Sequence, residues 1–155
     1  MSSAVAAIIA REIELVSQFV SVLNEEQEAL TRADVAALPE LMTRKSPLVE
    51  QLNAIESERL GALDMPTTTT ERGAMENWLA QNGNDAVAAV NWKKLLNVAA
   101  EAKTLHELNS QLVDMHLRQA TETLAILTAQ PEQSALYGSS GQAVSTTGSR
   151  IVDSA

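Results

Sequence analysis

The chain has no cysteine, which excludes disulfides and thiolate metal sites and leaves no thiol for redox chemistry. Aromatic residues make up 3% of the sequence while hydrophobic residues make up 45%, so the apolar surface is mainly Ala, Leu, Val and Ile. Such side chains build helical seams more readily than aromatic-lined pockets, which favours a binding helix over a substrate cavity. Basic residues are also scarce: 11 Lys and Arg stand against 20 Asp and Glu, for a formal net charge of -9. That excess repels phosphate backbones and anionic headgroups, so neither nucleic acid nor direct lipid binding is expected. Long apolar runs are missing as well. The most apolar early stretch, Ala4 to Ala10, follows no basic segment and is interrupted at once by Arg11, Glu12 and Glu14, so it reads as neither a signal peptide nor a membrane span.

The motifs of catalysis are absent too. There is no His-Glu-x-x-His, no Gly-rich phosphate loop and no nucleophile elbow. His106 and His116 are the only histidines, and neither has the Glu-x-x-His partner that builds carboxylate metal sites in helical bundles. No catalytic residue, metal site or cofactor is therefore expected, and the chain reads as a non-enzyme.

What is present is helical periodicity. A first helix is expected from about residue 3 to 31, capped by Ser2 or Ser3. Its seam is Ile9, Ile13, Val16, Val20, Leu23, Gln27 and Leu30, with Ile8, Leu15, Phe19 and Val22 widening the buried side. Glu12, Glu14, Glu25, Glu26 and Glu28 read as its solvated face. A second helix, about 35–63, is expected after Asp34 as cap, with Leu38, Leu41, Lys45, Leu48, Leu52, Ile55 and Arg59 on its seam. The short link between the two makes them antiparallel neighbours. Pro39 falls near the start of the second helix and Pro47 in its interior, where a kink is expected. Thr68 and Glu71 have capping-box spacing for a short helix, about 71–80, that ends at Asn82-Gly83 and carries Trp78 over the end of the bundle.

From Asn84 to Gln130 the sequence contains no Pro and no Gly, which predicts a helix of about 45 residues and roughly 70 Å, here placed at 85–130. Val87, Val90 or Ala89, Leu95, Val98, Ala102, Leu105, Leu108, Leu112 and Met115 form its expected seam against the hairpin. The fold class is thus all-α: an elongated antiparallel hairpin plus a long third helix in a three-helix, coiled-coil-like bundle. A second row on the long helix, Val113, Leu117, Ala120, Leu124 and Leu127, is displaced around it from the first. This row fits either an uncovered docking stripe or the other edge of a wide core face.

After Pro131 the composition turns to Ser, Thr, Gly and Gln, and residues 131–155 read as a flexible polar tail. The tail holds the only Tyr of the chain within Leu136-Tyr137-Gly138-Ser139-Ser140-Gly141-Gln142, where Gly138 and Gly141 read as a turn that presents the ring to a partner.

These residues together resemble the FlgN-type flagellar export chaperones. The likeness rests on Glu26-Gln27 and Leu30 closing the first helix, on Lys45-Ser46, Leu48, Leu52, Glu56 and Arg59 along the second, and on Leu136-Tyr137-Gly138, Gly141 and Gln142 in the tail. The resemblance implies a small cytoplasmic chaperone of the flagellar type III secretion system. Such a protein binds the terminal helical segments of hook-filament junction proteins through its C-terminal amphipathic helix, prevents their premature assembly and delivers them to the export gate. It further implies that Tyr137, presented by Gly138 and Gly141, docks on the cytoplasmic domain of the export-gate membrane protein. Pro47, and Ser140 before the second tail glycine, depart from the family pattern. Two other readings fit parts of the sequence. One is a structural coiled-coil adaptor that self-associates without a client. The other is a phosphotransfer domain using His106, although Asn109 and Ser110 stand where that motif has Lys and Gly.

Overall fold

The computed structural model describes the backbone of residues 3–64 and 71–138, and the side chains of 3–64 and 73–129. Every regular element among them is helical: α1 (Ala4–Thr31), a 3-10 turn (Val35–Ala37), α2 (Leu38–Ala62), α3 (Glu71–Gln81) and α4 (Ala86–Gly138). The chain divides into two units, Met1–Leu112 and Val113–Ala155.

In the first unit, α1 is the element on which the others are laid. Its N-cap is Ser3, whose hydroxyl accepts from the Ala6 amide at 3.1 Å. α1 ends at Thr31, and Ala33 then takes a left-handed conformation with φ 55°. The amide of Asp34 reaches back to donate to the Ala29 carbonyl at 2.8 Å, and the amide of Ala33 donates to the Leu30 carbonyl, closing the helix end. The side chain of Asp34 makes no capping bond, and the chain passes through the 3-10 turn before α2 begins at Leu38. Pro39 therefore sits in the first turn, where no amide hydrogen is needed, and α2 continues through Pro47 as one helix.

The direction of each helix follows from its cross-helix bonds. Arg11 and Glu12 pair with Glu58 and Arg59 across 47 residues, while Glu25 and Glu26 pair with Arg44 and Lys45 across 19, as antiparallel helices require. The amide groups of Asn91 and Asn109 on α4 donate to the carbonyls of Ala6 and Leu23 on α1, separations of 85 and 86 residues; a near-constant separation means a parallel pair. The expected three-helix bundle is thus formed, with α3 closing one end of it. Ala74, Met75 and Trp78 of α3 join Val5, Ala6, Ile9, Val16, Val20 and Leu23 of α1, Leu63, and Ala88, Leu95 and Ala102 of α4 in one core. A smaller cluster of Val22, Ala29, Leu41 and Leu48 fills the far part of the α1–α2 interface.

Several expectations need correction. Glu12 is not on a solvated face: it is 7% exposed and receives a 2.7 Å bond from Nε of Arg59, itself 6% exposed. The same guanidinium lies over the Trp92 ring at 4.9 Å, tying α2 to α4. Glu26 is also half-buried, bonded by Lys45 and Asn109, whereas Glu14, Glu25 and Glu28 are exposed as expected. On α4 the buried line is Ala88, Leu95, Ala102 and Asn109, with Asn91, Val98, Leu105 and Leu112 half-buried beside it. Val87, Val90, Leu108 and Met115, expected on the seam, are exposed. Leu95, Val98, Ala102, Leu105 and Leu112 lie on the seam as expected, while Ala88 and Asn109 take the places expected for Val87 and Leu108. Asn109 is admitted to the core because its amide donates to the Leu23 carbonyl at 2.9 Å and to Glu26 Oε1 at 2.8 Å. The cap of α4 is Asp85, not Asn84: its carboxylate accepts from the Ala88 amide at 3.0 Å. α4 does not stop at 130 but runs through Pro131 to Gly138. Thr68 and residues 139–155 lie outside the described residues.

Asp85 links two helix starts. The Ser3 hydroxyl donates to its carboxylate, and this bond, followed by the Ala88 amide, holds the Asp85 carboxyl below its ordinary range. The guanidinium of Arg44 does the same to Glu25, and that of Arg11 to Glu58, in each case mainly through hydrogen bonding. All three are lowered carboxylates, so their stabilisation is complete above the ordinary carboxylate range near ~4 and is lost as pH falls through the lowered folded-state values. Melting temperature should therefore be flat from neutrality to about pH 5 and fall below about pH 4, with a shallower fall in Asp85→Asn; thermal melts across pH check this. Removing one ion of the buried pair leaves the other stranded: Arg59→Met should destabilise by about 3–5 kcal/mol. Arg11→Met, whose partner Glu58 remains in water, should shift the urea midpoint far less.

Candidate functional site

The second unit offers one described element, the part of α4 from Val113 to Gly138, with side chains described to Ala129. Its composition explains why it is helical: Ala, Leu, Met, Gln, Glu and Arg have high helix propensity. Its threonines, poor helix formers, satisfy their hydroxyls locally. Thr121, Thr123 and Thr128 donate to the carbonyls of Leu117, Gln119 and Leu124 at 2.8 to 2.9 Å.

The row Val113, Leu117, Ala120, Leu124 and Leu127 lies on this helix and is exposed. Val113 is 40% exposed, Leu117 61%, Leu124 62% and Leu127 55%. Single exposed apolar residues are ordinary, but five at alternating spacings of four and three form a continuous line, and such a line is what a second amphipathic helix packs against. Ile126 is equally exposed, at 62%, and was missed in the sequence because it falls outside that spacing.

The other candidates divide clearly. Tyr137 and Gly138 fall in the last turn of α4 by backbone, while Gly141 lies outside the described residues, so the expected turn between the two glycines cannot begin before the helix ends at Gly138. His106 is exposed, and Asn109, which stands where a phosphotransfer motif has lysine, is 2% exposed and committed to α1 and Glu26. The amide that would have to bind a phosphoryl oxygen is therefore turned away from His106 and into the core. Among the described residues no cluster of three His, Asp or Glu side chains is arranged to hold a metal ion, and no helix is long and apolar enough to cross a membrane. An open groove of about 460 Å³ runs between Arg11, Leu15 and Gln18 of α1 and Gln51, Ile55 and Glu58 of α2. Of its three charged lining residues, Arg11 and Glu58 are paired with each other at 2.8 Å, and the third is Glu14.

Among the described residues every regular element is helical, and α4 carries an exposed apolar row. The family model described as FlgN protein matches residues 1–145. The chain is also 27% identical over 137 residues to the flagella synthesis protein FlgN of Yersinia enterocolitica, covering 87% of this chain and 86% of that protein. No solved structure matches. The chain belongs to the FlgN family, flagellar chaperones without enzymatic activity.

Exposure separates the stripe from the core in a measurable way. Leu124→Ala should leave unfolding free energy within about 0.5 kcal/mol of the parent, whereas Leu23→Ala, at a fully buried position, should cost about 2–5 kcal/mol. Urea unfolding of both variants checks the contrast.

Proposed function

We propose that this protein is a cytoplasmic chaperone for hook-filament junction proteins. It holds their terminal helical segments on Val113, Leu117, Ala120, Leu124 and Leu127 until export, and it delivers them to the export gate. The observation that carries this reading is the exposure of that stripe: Leu117, Leu124 and Leu127 are each more than half exposed on a helix of a family member. Segments that are apolar, amphipathic and unfolded before assembly would aggregate or polymerise early, and a complementary seam covers them as a helix-on-helix contact. No bond is made or broken. The work of the protein is differential binding, and release follows when the export machinery competes for the client.

Docking on the cytoplasmic domain of the export-gate membrane protein is assigned to Tyr137, with Gly138 and Gly141 beside it. The position of Tyr137 in the last turn of α4 supports a role separate from the stripe, because the two are different stretches of chain.

A charge at the centre of the stripe must be desolvated if a client helix covers it. Leu124→Glu should therefore weaken client binding by more than about tenfold while far-ultraviolet circular dichroism remains that of the parent. Tyr137→Ala should leave client affinity unchanged and weaken binding to the export-gate domain. Calorimetry with each junction protein and with that domain reads both effects, and loss of helicity in Leu124→Glu would assign the residue to the core instead.

A further inference from the structure

The flanks of the stripe carry a second message. At about 100° per residue the five stripe positions fall within about 40° of one line along the helix. The residues on either side of that line, at about 60–80°, are Thr121 and Thr128 on one flank and His116 and Thr123 on the other. The only Asp, Glu, Lys or Arg side chains between Val113 and Ala129 are Asp114, Arg118 and Glu122. Asp114 stands at the start of the segment, at about 100° from the line, and Arg118 and Glu122 point to the opposite side. The three threonine hydroxyls already donate to carbonyls of their own helix. The edges of this seam therefore offer no lysine, arginine or carboxylate to a partner along most of its length.

Where the same chain fixes one helix against another, it does the reverse. The α1–α2 interface is edged by Arg11–Glu58, Arg44–Glu25 and Lys45–Glu26, each within 3.0 Å, and Glu12–Arg59 lies inside it. Charges at the edges of a helical seam choose partner and register, and a seam without them reads only apolar shape.

We infer that the occupant of the stripe is an amphipathic helix whose own apolar seam is edged by uncharged residues, held by apolar burial with no ion pair across the contact. This inference rests on the reading of the stripe as the client surface. It follows that the stripe accepts seams in more than one register, and so helices of more than one sequence, and that affinity is insensitive to salt.

The test is calorimetry of the full chain with each hook-filament junction protein in ~0.05 and ~0.5 M NaCl. The dissociation constant for each protein should change by less than about threefold between the two salts. Thr121→Glu and Thr121→Lys, at an exposed helical position, should each shift it by less than about threefold as well. A larger weakening by salt, or a larger shift of opposite sign for the two Thr121 variants, would show charges on the partner's flanks and overturn the inference while leaving the client reading intact. Absence of binding at both salts would overturn the client reading and this inference with it. Dimerisation of the chain, lost in Leu124→Glu, would make a second copy the occupant and overturn the inference in favour of self-association.

Discussion

Two side-chain amides hold the bundle in register. Asn91 and Asn109 of α4 donate to carbonyls of Ala6 and Leu23, so α4 cannot slide along α1 by a turn without leaving buried polar groups unpaired. The register they set places Ala88, Leu95 and Ala102 in the core and turns Val87, Val90 and Leu108 outward. It is a choice of specificity over stability. An apolar residue at position 109 would pack without desolvating an amide, and the Oδ1 of Asn109 is buried with no hydrogen-bond partner among the described residues, at a cost of about 1–3 kcal/mol. Polar residues at core positions of helical bundles act in this way, narrowing the alternatives by making the wrong ones worse.

The ion pairs follow the same logic at different strengths. Arg11–Glu58 and Arg44–Glu25 are exposed, so solvent screens them, and they edge the α1–α2 interface without contributing much to stability. Glu12–Arg59 is different because both charges are buried, and the guanidinium also covers the Trp92 ring. One side chain of α2 thereby meets α1 and α4 together. Neither charge tolerates loss of the other, which makes the pair a device for fixing the three helices in one arrangement.

The Val113–Ala129 segment has none of these pins among the described residues. Its apolar line is exposed, its neighbouring threonine hydroxyls are satisfied within the helix, and charges are nearly absent from its edges. In the client-binding role proposed for it, such a surface reads apolar helix in general, with the particular pairing left to the assembled filament. The two units of the chain thus differ in their helix faces: charged edges and buried polar pins where α1 meets α2 and α4, and an exposed apolar line with few charges beside it on Val113–Ala129.

Much of this was legible in the sequence. The seams of α1 and α2, including Arg59 and Lys45 on the second, follow from three-four spacing because long amphipathic helices repeat one local rule, and the end of α1 at Thr31 was expected from the same periodicity. The stripe from Val113 to Leu127 was also visible, but periodicity alone fits an exposed line and a buried edge equally well. Burial depends on what lies across from a residue, and that is settled by tertiary contacts. The α4 seam was legible at Leu95, Val98, Ala102, Leu105 and Leu112. The same reason explains why it omitted Asn109, which is buried because the Leu23 carbonyl and Glu26 stand opposite it, and why Glu12 was misassigned, being buried because Arg59 arrives from a helix 47 residues away in sequence. The sequence by itself determined that the described segments are helical and where most of their apolar faces lie. Only the tertiary structure decided which polar residues enter the core, since a buried polar group is tolerated when its partner is delivered from another helix.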